Sequence, residues 1–211
     1  FVTGQGAILL RAGKKLREPE VELHKALYER LGVPVIGTIK APGTVEGGDC
    51  FWLNESTLAV GRGFRTNDAG IDQLRNIMAP QGVDLVVFDL PVWKGEAACL
   101  HLMSLISPLD HNLALVFRHL LPVALHELLY DHGITCLEAP EEEFIASQGL
   151  SLNVLATSPR VCIAIDGFPA TAHLMTEAGC RVMTFPGDHL CIPCEGGPTC
   201  MTRPILRDPT S

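Results

Sequence analysis

In Glu46-Gly47-Gly48-Asp49-Cys50-Phe51-Trp52-Leu53-Asn54-Glu55-Ser56-Thr57-Leu58-Ala59-Val60, a glycine turn leads into an apolar strand, a polar turn and a second strand. The spacing predicts a hairpin, with Cys50–Leu53 and Leu58–Val60 flanking Asn54–Thr57. Downstream, Asn67–Met78 reads as a helix and Val83–Leu90 as a buried strand. The pattern recurs. His101–Ser107, a turn at Pro108–Asn112 and Leu113–Phe117 form a second expected hairpin, followed by the helix Ala124–Gly133. Leu150–Ala156 and Arg160–Ile165 form a third, followed by the helix Ala170–Ala178 and the strand Arg181–Phe185. Cys200–Leu206 is expected to open one more.

The starts Asp49, His101, Leu150 and Cys200 stand 52, 49 and 50 residues apart. A period of about 50 residues, each strand, turn, strand, helix, strand, predicts repeated units around an axis. An ordinary mixed α/β sandwich is the alternative. Upstream, Gly6–Arg11 and Val33–Ile39 read as strands. Between them Glu20–Leu31 reads as an amphipathic helix with Leu23, Ala26, Leu27 and Leu31 on one side, stopped by Gly32.

Bulk composition narrows the function. The chain has 211 residues, 47% hydrophobic and 19% charged, which excludes a disordered polymer. No apolar run approaches the roughly 18 residues of a membrane span. The net charge of −8 argues against nucleic acid as a partner and is compatible with a small cation. Phe1-Val2-Thr3-Gly4 lacks the basic and apolar segments of a signal peptide. The eight cysteines are expected to be free thiols in a reducing compartment, the cytoplasm.

Residues able to carry chemistry fall at equivalent places. Glu46-Gly47-Gly48-Asp49 precedes the first hairpin, His101 opens the second and Cys200 the last. Units arranged around an axis would bring an acid, an imidazole and a thiol together from distant parts of the chain. Each also has a plainer reading: a structural histidine, one cysteine of eight, and glycine pairs that only turn the chain. Their joint register carries the argument.

With Gly61-Arg62-Gly63-Phe64-Arg65-Thr66-Asn67, His101-Leu102 and Gly196-Gly197-Pro198-Thr199-Cys200-Met201-Thr202, these motifs follow one another in an order that resembles the amidinotransferase, or pentein, superfamily. Within it the resemblance is greatest to dimethylarginine dimethylaminohydrolases and arginine deiminases. It implies a five-bladed α/β-propeller of ββαβ-type repeats and a single guanidine-modifying catalytic domain over 1–211. It also implies hydrolysis of a guanidinium C–N bond of arginine or an N-methylated arginine, giving citrulline and an amine or ammonia. Cys200 would be the nucleophile, His101 the general acid and base, and Glu46 the acid of the triad. Arg65 would read the substrate α-carboxylate, with Asp49 supporting substrate binding. A guanidinium is a poor electrophile, so a thiolate suits the attack, and an imidazole suits protonation of the leaving amine. No metal or other cofactor is expected. The small cationic guanidino substrate is the expected partner, with a homodimer compatible.

One position departs from the pattern. In arginine deiminases an aspartate that grips the guanidinium follows two residues after the histidine; here that place holds Met103. This favours an N-alkylated guanidine, or a guanidinium held by other carboxylates, unless Met103 points into the core. Two other readings stand beside the hydrolase. An amidinotransferase would use the same Cys–His–Glu chemistry. A zinc-binding module would use His189, Cys191, Cys194 and Cys200, with Cys191 and Cys194 at knuckle spacing. Glu141-Glu142-Glu143 reads as a solvated turn. Counting back about 50 residues from Asp49 ends just before Phe1, so an additional N-terminal unit of roughly 40–70 residues is expected upstream, the first repeat being missing or incomplete in this chain.

Overall fold

Short apolar strands alternating with single helices produce four three-stranded sheets in the computed structural model, which describes residues 1–96, 98 and 100–205. The first contains β1 (Val2–Thr3), β2 (Gly6–Leu9) and β3 (Val35–Thr38), with α1 (Glu20–Arg30) before β3. The second contains β4 (Cys50–Asn54), β5 (Thr57–Arg62) and β6 (Asp84–Asp89), with α2 (Asp68–Met78). The third contains β7 (Ile106–Asp110), β8 (Leu113–Val116) and β9 (Thr135–Glu138), with α3 (Val123–Asp131). After α4 (Glu141–Ala146), the fourth contains β10 (Leu155–Ser158), β11 (Val161–Ile165) and β12 (Arg181–Phe185), with α5 (Pro169–Glu177). The short helix α6 (Pro198–Met201) follows.

All four sheets share one topology. The first strand pairs antiparallel with the second, and the second pairs parallel with the third. A tight turn suffices for the first connection, whereas the parallel one needs the helical crossover. In the last three sheets the hairpin slips register at the same place, so that Asn54 faces Thr57, Asp110 faces Leu113 and Ser158 faces Val161. This shared irregularity is stronger evidence of repetition than the weak sequence similarity between units. Local chemistry sets the turns and caps. The Asn54 Oδ1 accepts from the Ser56 N–H at 2.9 Å, and the Asn67 side chain caps α2 by accepting from the Gly70 N–H at 2.9 Å.

The described residues divide into two compact units, one of residues 1–89 with those of 94–99 and 203–205, the other of 90–93 and 100–202. The core of the first gathers Ile8, Val45, Leu58, Val60, Leu74 and Met78. The core of the second gathers Leu109, Leu115, Phe144, Leu152, Cys162 and Met175, with Phe117 stacked on Phe144 at a centroid distance of 3.6 Å. No helix among the described residues is long and apolar enough to cross a membrane.

Five expectations are corrected. In α1 the buried side carries Tyr28, while Leu23 is 72% and Leu31 52% exposed; apolar spacing marked a face but not the one that meets β2. His101 and Leu150 do not lie on strands. They belong to one-turn 3-10 segments, with Leu102–Ser104 and Leu150–Leu152 leading into β7 and β10, as Gly47–Asp49 leads into β4. Cys200 opens no hairpin among the described residues; it lies on α6, because Pro198 at the first helical position presets φ for a turn. The expected strand there runs to Leu206, which lies outside the described residues. Conversely, a strand pair at Val2–Leu9, absent from the sequence count, gives the first sheet the same order as the others. Finally, Glu141–Glu143 is the first turn of α4, and the Glu143 carboxylate accepts from the N–H groups of Ala170 and Thr171 at 2.8 Å each.

Candidate active site

In the first unit, the segment before β4 builds an acidic centre. Glu46 is extended (φ −110°, ψ 141°) and stands at the N-cap of the Gly47–Asp49 turn, only 4% exposed. Its Oε1 accepts from the Gly13 N–H at 2.9 Å and from Arg65 Nη1 at 3.4 Å, and its Oε2 from Arg17 Nη1 at 3.1 Å. Two guanidinium groups therefore offset the desolvation of one buried carboxylate. Asp49 is fully buried and accepts from the Thr66 hydroxyl at 2.6 Å, while that hydroxyl accepts from the Glu46 N–H at 3.0 Å. Thr66 thus ties the Gly63–Asn67 loop to the turn that carries both acids. A Cβ on Gly47 would lie 2.7 Å from Arg203 Nη1, the far end of a flexible and exposed side chain, so this contact alone does not demand glycine.

Glu46, Asp49 and Arg65 are therefore brought together within one unit. Arg17 and Thr66 belong with them and were missed in sequence. Thr66 stood in a quoted motif without a role, whereas Arg17, in the polar run after β2, gave no signal beyond its charge.

In the second unit, His101 caps the Leu102–Ser104 turn in the way Glu46 caps its own. The imidazole accepts from the Ser104 N–H and the Ser104 hydroxyl accepts from the His101 N–H at 3.1 Å, a reciprocal capping pair that fixes the ring. Met103, inside that turn, is half-buried.

Cys200 lies exposed on α6. Asn153 Nδ2 donates to its Sγ at 2.9 Å. The other end of that amide is fixed, since Asn153 Oδ1 accepts from the Thr199 N–H at 2.9 Å. Asn153 is a further residue that sequence reasoning missed, because nothing local marks a residue 47 positions from its partner.

Five of the described thiols, Cys50, Cys136, Cys162, Cys180 and Cys191, are poor nucleophiles because burial opposes their thiolates. Burial pushes the Cys50 thiol up to about 12, helped by the Asp49 carboxylate, and pushes Cys162 up to about 12 as well. Burial also raises Cys136, Cys180 and Cys191. Among the described cysteines, only Cys194 and Cys200 are exposed. Among the described residues no group of three or more His, Cys, Asp or Glu side chains is placed to hold a metal ion, so His189, Cys191, Cys194 and Cys200 do not assemble as the knuckle reading requires.

The sequence model of the arginine deiminase family matches residues 1–132. The chain belongs to the arginine deiminase family. Its relatives place that family membership within the pentein superfamily, near the dimethylarginine dimethylaminohydrolases. The dimethylarginine dimethylaminohydrolase of Streptomyces coelicolor is 38% identical over 173 residues, covering 82% of this chain and 59% of that protein. The one from Pseudomonas aeruginosa is 28% identical over 200 residues, covering 95% and 71%. The arginine deiminase of Mycobacterium avium is 26% identical over 191 residues, and the match spans 78% of this chain but 47% of that protein. Among solved structures, the Pseudomonas aeruginosa dimethylarginine dimethylaminohydrolase complexed with citrulline aligns with TM-score 0.77 at 26% identity, over 95% of this chain and 71% of that one. A dimethylarginine dimethylaminohydrolase adduct with S-methyl-L-thiocitrulline aligns with TM-score 0.76. A cyanobacterial arginine dihydrolase domain at 22% identity and TM-score 0.78 shares the fold.

Proposed function

We propose that this family member hydrolyses a substituted guanidine, cleaving a guanidinium C–N bond of arginine or an N-methylated arginine to give citrulline and ammonia or an amine. The observation that carries the reading is Cys200: an exposed thiol in the Gly196–Thr202 motif, with an oriented amide donor on its sulfur, in a chain whose buried thiols are suppressed. In the proposed reaction the Cys200 thiolate forms a bond to the central guanidinium carbon. The C–N bond then breaks, and the departing nitrogen takes its pair and a proton from His101. Water, deprotonated by His101, adds to the same carbon of the thiouronium. The C–S bond breaks next, its pair returns to sulfur, and the ureido group of citrulline is left.

Glu46 supplies the carboxylate that favours the cationic forms of guanidinium and imidazole. Asp49 supports it through Thr66. A guanidinium has five N–H donors, so the contact of Arg65 with Glu46 leaves others for the substrate α-carboxylate. Met103 in place of an acid favours an N-alkylated substrate. A ring of five ββαβ units is the finer fold reading, supported by the four repeated sheets and the likeness to dimethylarginine dimethylaminohydrolases. The reducing cytoplasm is the proposed setting.

The test is a panel of arginine, methylated arginines and guanidino acids, followed by mass spectrometry of product and protein. Citrulline release and a quench-trapped adduct on Cys200 are expected, both lost in Cys200→Ala. An adduct on Cys194, or turnover that survives Cys200→Ala, would overturn the assignment.

A further inference from the structure

The structure assigns Asn153 as a further catalytic residue: its side-chain amide is the fixed hydrogen-bond donor that stabilises the anionic sulfur of Cys200. The inference rests on the reading of Cys200 as nucleophile and goes beyond it, by naming the group that makes the thiolate available.

Three features of the second unit combine. The amide Nδ2 lies 2.9 Å from Cys200 Sγ. The orientation of the amide is determined by its other end: the Thr199 N–H is a donor, so only Oδ1 can accept it, at 2.9 Å, and the planar amide then turns its NH₂ towards the sulfur. The loop is also shaped to close on this amide. A Cβ on Gly197 would lie 2.7 Å from the Cβ, Cγ and Oδ1 of Asn153, and one on Gly196 would lie 3.0 Å from the Cβ of Cys200. The Thr199 hydroxyl donates to the Val154 carbonyl at 3.0 Å, pinning the same loop beside Asn153. The glycine pair before Cys200 thus serves to let the nucleophile loop seat against one side chain.

An NH₂ group can only donate. It bonds weakly to a neutral thiol and more strongly to a sulfur anion, since hydrogen bonds to charged groups exceed those between neutral groups. It therefore favours the thiolate before attack. It does so again when the C–S bond of the thiouronium breaks and the electron pair returns to sulfur. In the covalent intermediate the sulfur carries no full negative charge and the bond is weaker, so the donor discriminates in the useful direction.

The test compares Asn153→Ala and Asn153→Asp with the full chain, read as the iodoacetamide alkylation rate of Cys200 by peptide mapping from pH 6 to 9.5. No substrate is needed, so the result does not depend on the hydrolase reading. N153A should slow alkylation at pH 7.5 by about tenfold, the scale of one charge-assisted hydrogen bond in a solvated site. N153D keeps an oxygen for the Thr199 N–H but sets a carboxylate against the sulfur. It should be slower still and displace the pH profile to higher pH. If Asn153 only anchored the loop, N153D would behave as wild type, and that result overturns the proposal. Faster labelling in either variant, including labelling of the buried thiols through unfolding, also counts against it. Slower alkylation in both variants, with no citrulline from any form of the protein, would uphold Asn153 and sink the hydrolase reading instead.

Discussion

Arg65 and Glu46 form a buried ion pair in the first unit, and Arg17 and the Gly13 N–H share the same carboxylate. Removing Arg65 would leave Glu46 buried with part of its compensation. Arg65→Ala should destabilise the protein by about 1–3 kcal/mol, below the full cost of an orphaned buried charge because Arg17 remains. Urea unfolding measures this. A double cycle with Glu46→Gln should show coupling of the same order, since both variants remove one shared contact. Additive losses would mean that the pair contributes no coupling.

Glu143 closes the N-terminus of α5 from a different helix, its carboxylate meeting two backbone N–H groups and the Thr171 hydroxyl. Glu143→Ala should therefore cost about 1–2 kcal/mol, the scale of a lost cap. Glu142→Ala, in the same acidic run, serves as the control and should fall within about 0.5 kcal/mol of wild type. Equal losses in the two would show that net charge rather than capping is at work.

Thiol accessibility gives a map of the site without any substrate. Native protein treated briefly with a small alkylating reagent at neutral pH should label Cys194 and Cys200, the exposed pair among the described cysteines. Cys50, Cys162, Cys180 and Cys191 should label only after denaturation, because burial opposes formation of their thiolates. Peptide mapping distinguishes them, and rapid labelling of Cys191 would contradict the burial described for the loop before α6.

The ββαβ repetition was legible because its signals are local. Asn54-Glu55-Ser56-Thr57 makes its turn within four residues, and Asn67 caps α2 with its own side chain. The Glu46 and Asp49 cluster was legible in part, since Gly47-Gly48 marks a turn between two acids. What was not legible depends on contacts across tens of residues. Arg17 reaches Glu46 from 29 positions away, and Asn153 reaches Cys200 from 47. Periodicity carries no information about such pairs. It also misled where an apolar run was not a strand. Leu150–Leu152 follows Gly149 at φ 91°, and that left-handed residue turns the chain into a 3-10 segment before β10 begins. In α1 the spacing of Leu23, Leu27 and Leu31 was real, but Tyr28 supplied the face that β2 and the segment after α1 cover.

Cys50 makes a prediction about alkaline stability whose sign follows from its protonation. Its thiol is fully buried among the side chains of the first core, and burial together with Asp49 raises it from 9.0 to about 12 in the folded protein. In the unfolded chain the thiol ionises near its ordinary value. Below about pH 9 both states hold the proton, and the contribution to stability is fully present. Between about 9 and 12 the unfolded state releases its proton while the folded state keeps it, so stability falls as pH rises. The slope is about 1.4 kcal/mol per pH unit for one such thiol. Lysines and tyrosines titrate in the same window, so the quantity to measure is the difference in slope between wild type and Cys50→Ala, by urea unfolding at pH 8, 9, 10 and 10.5. Cys50→Ala should start less stable, because it leaves a small void in the first core, across the hairpin from Val60, and should then lose less as pH rises, so that the two curves converge. Parallel curves would show that the Cys50 thiol ionises equally in both states, which its burial does not allow.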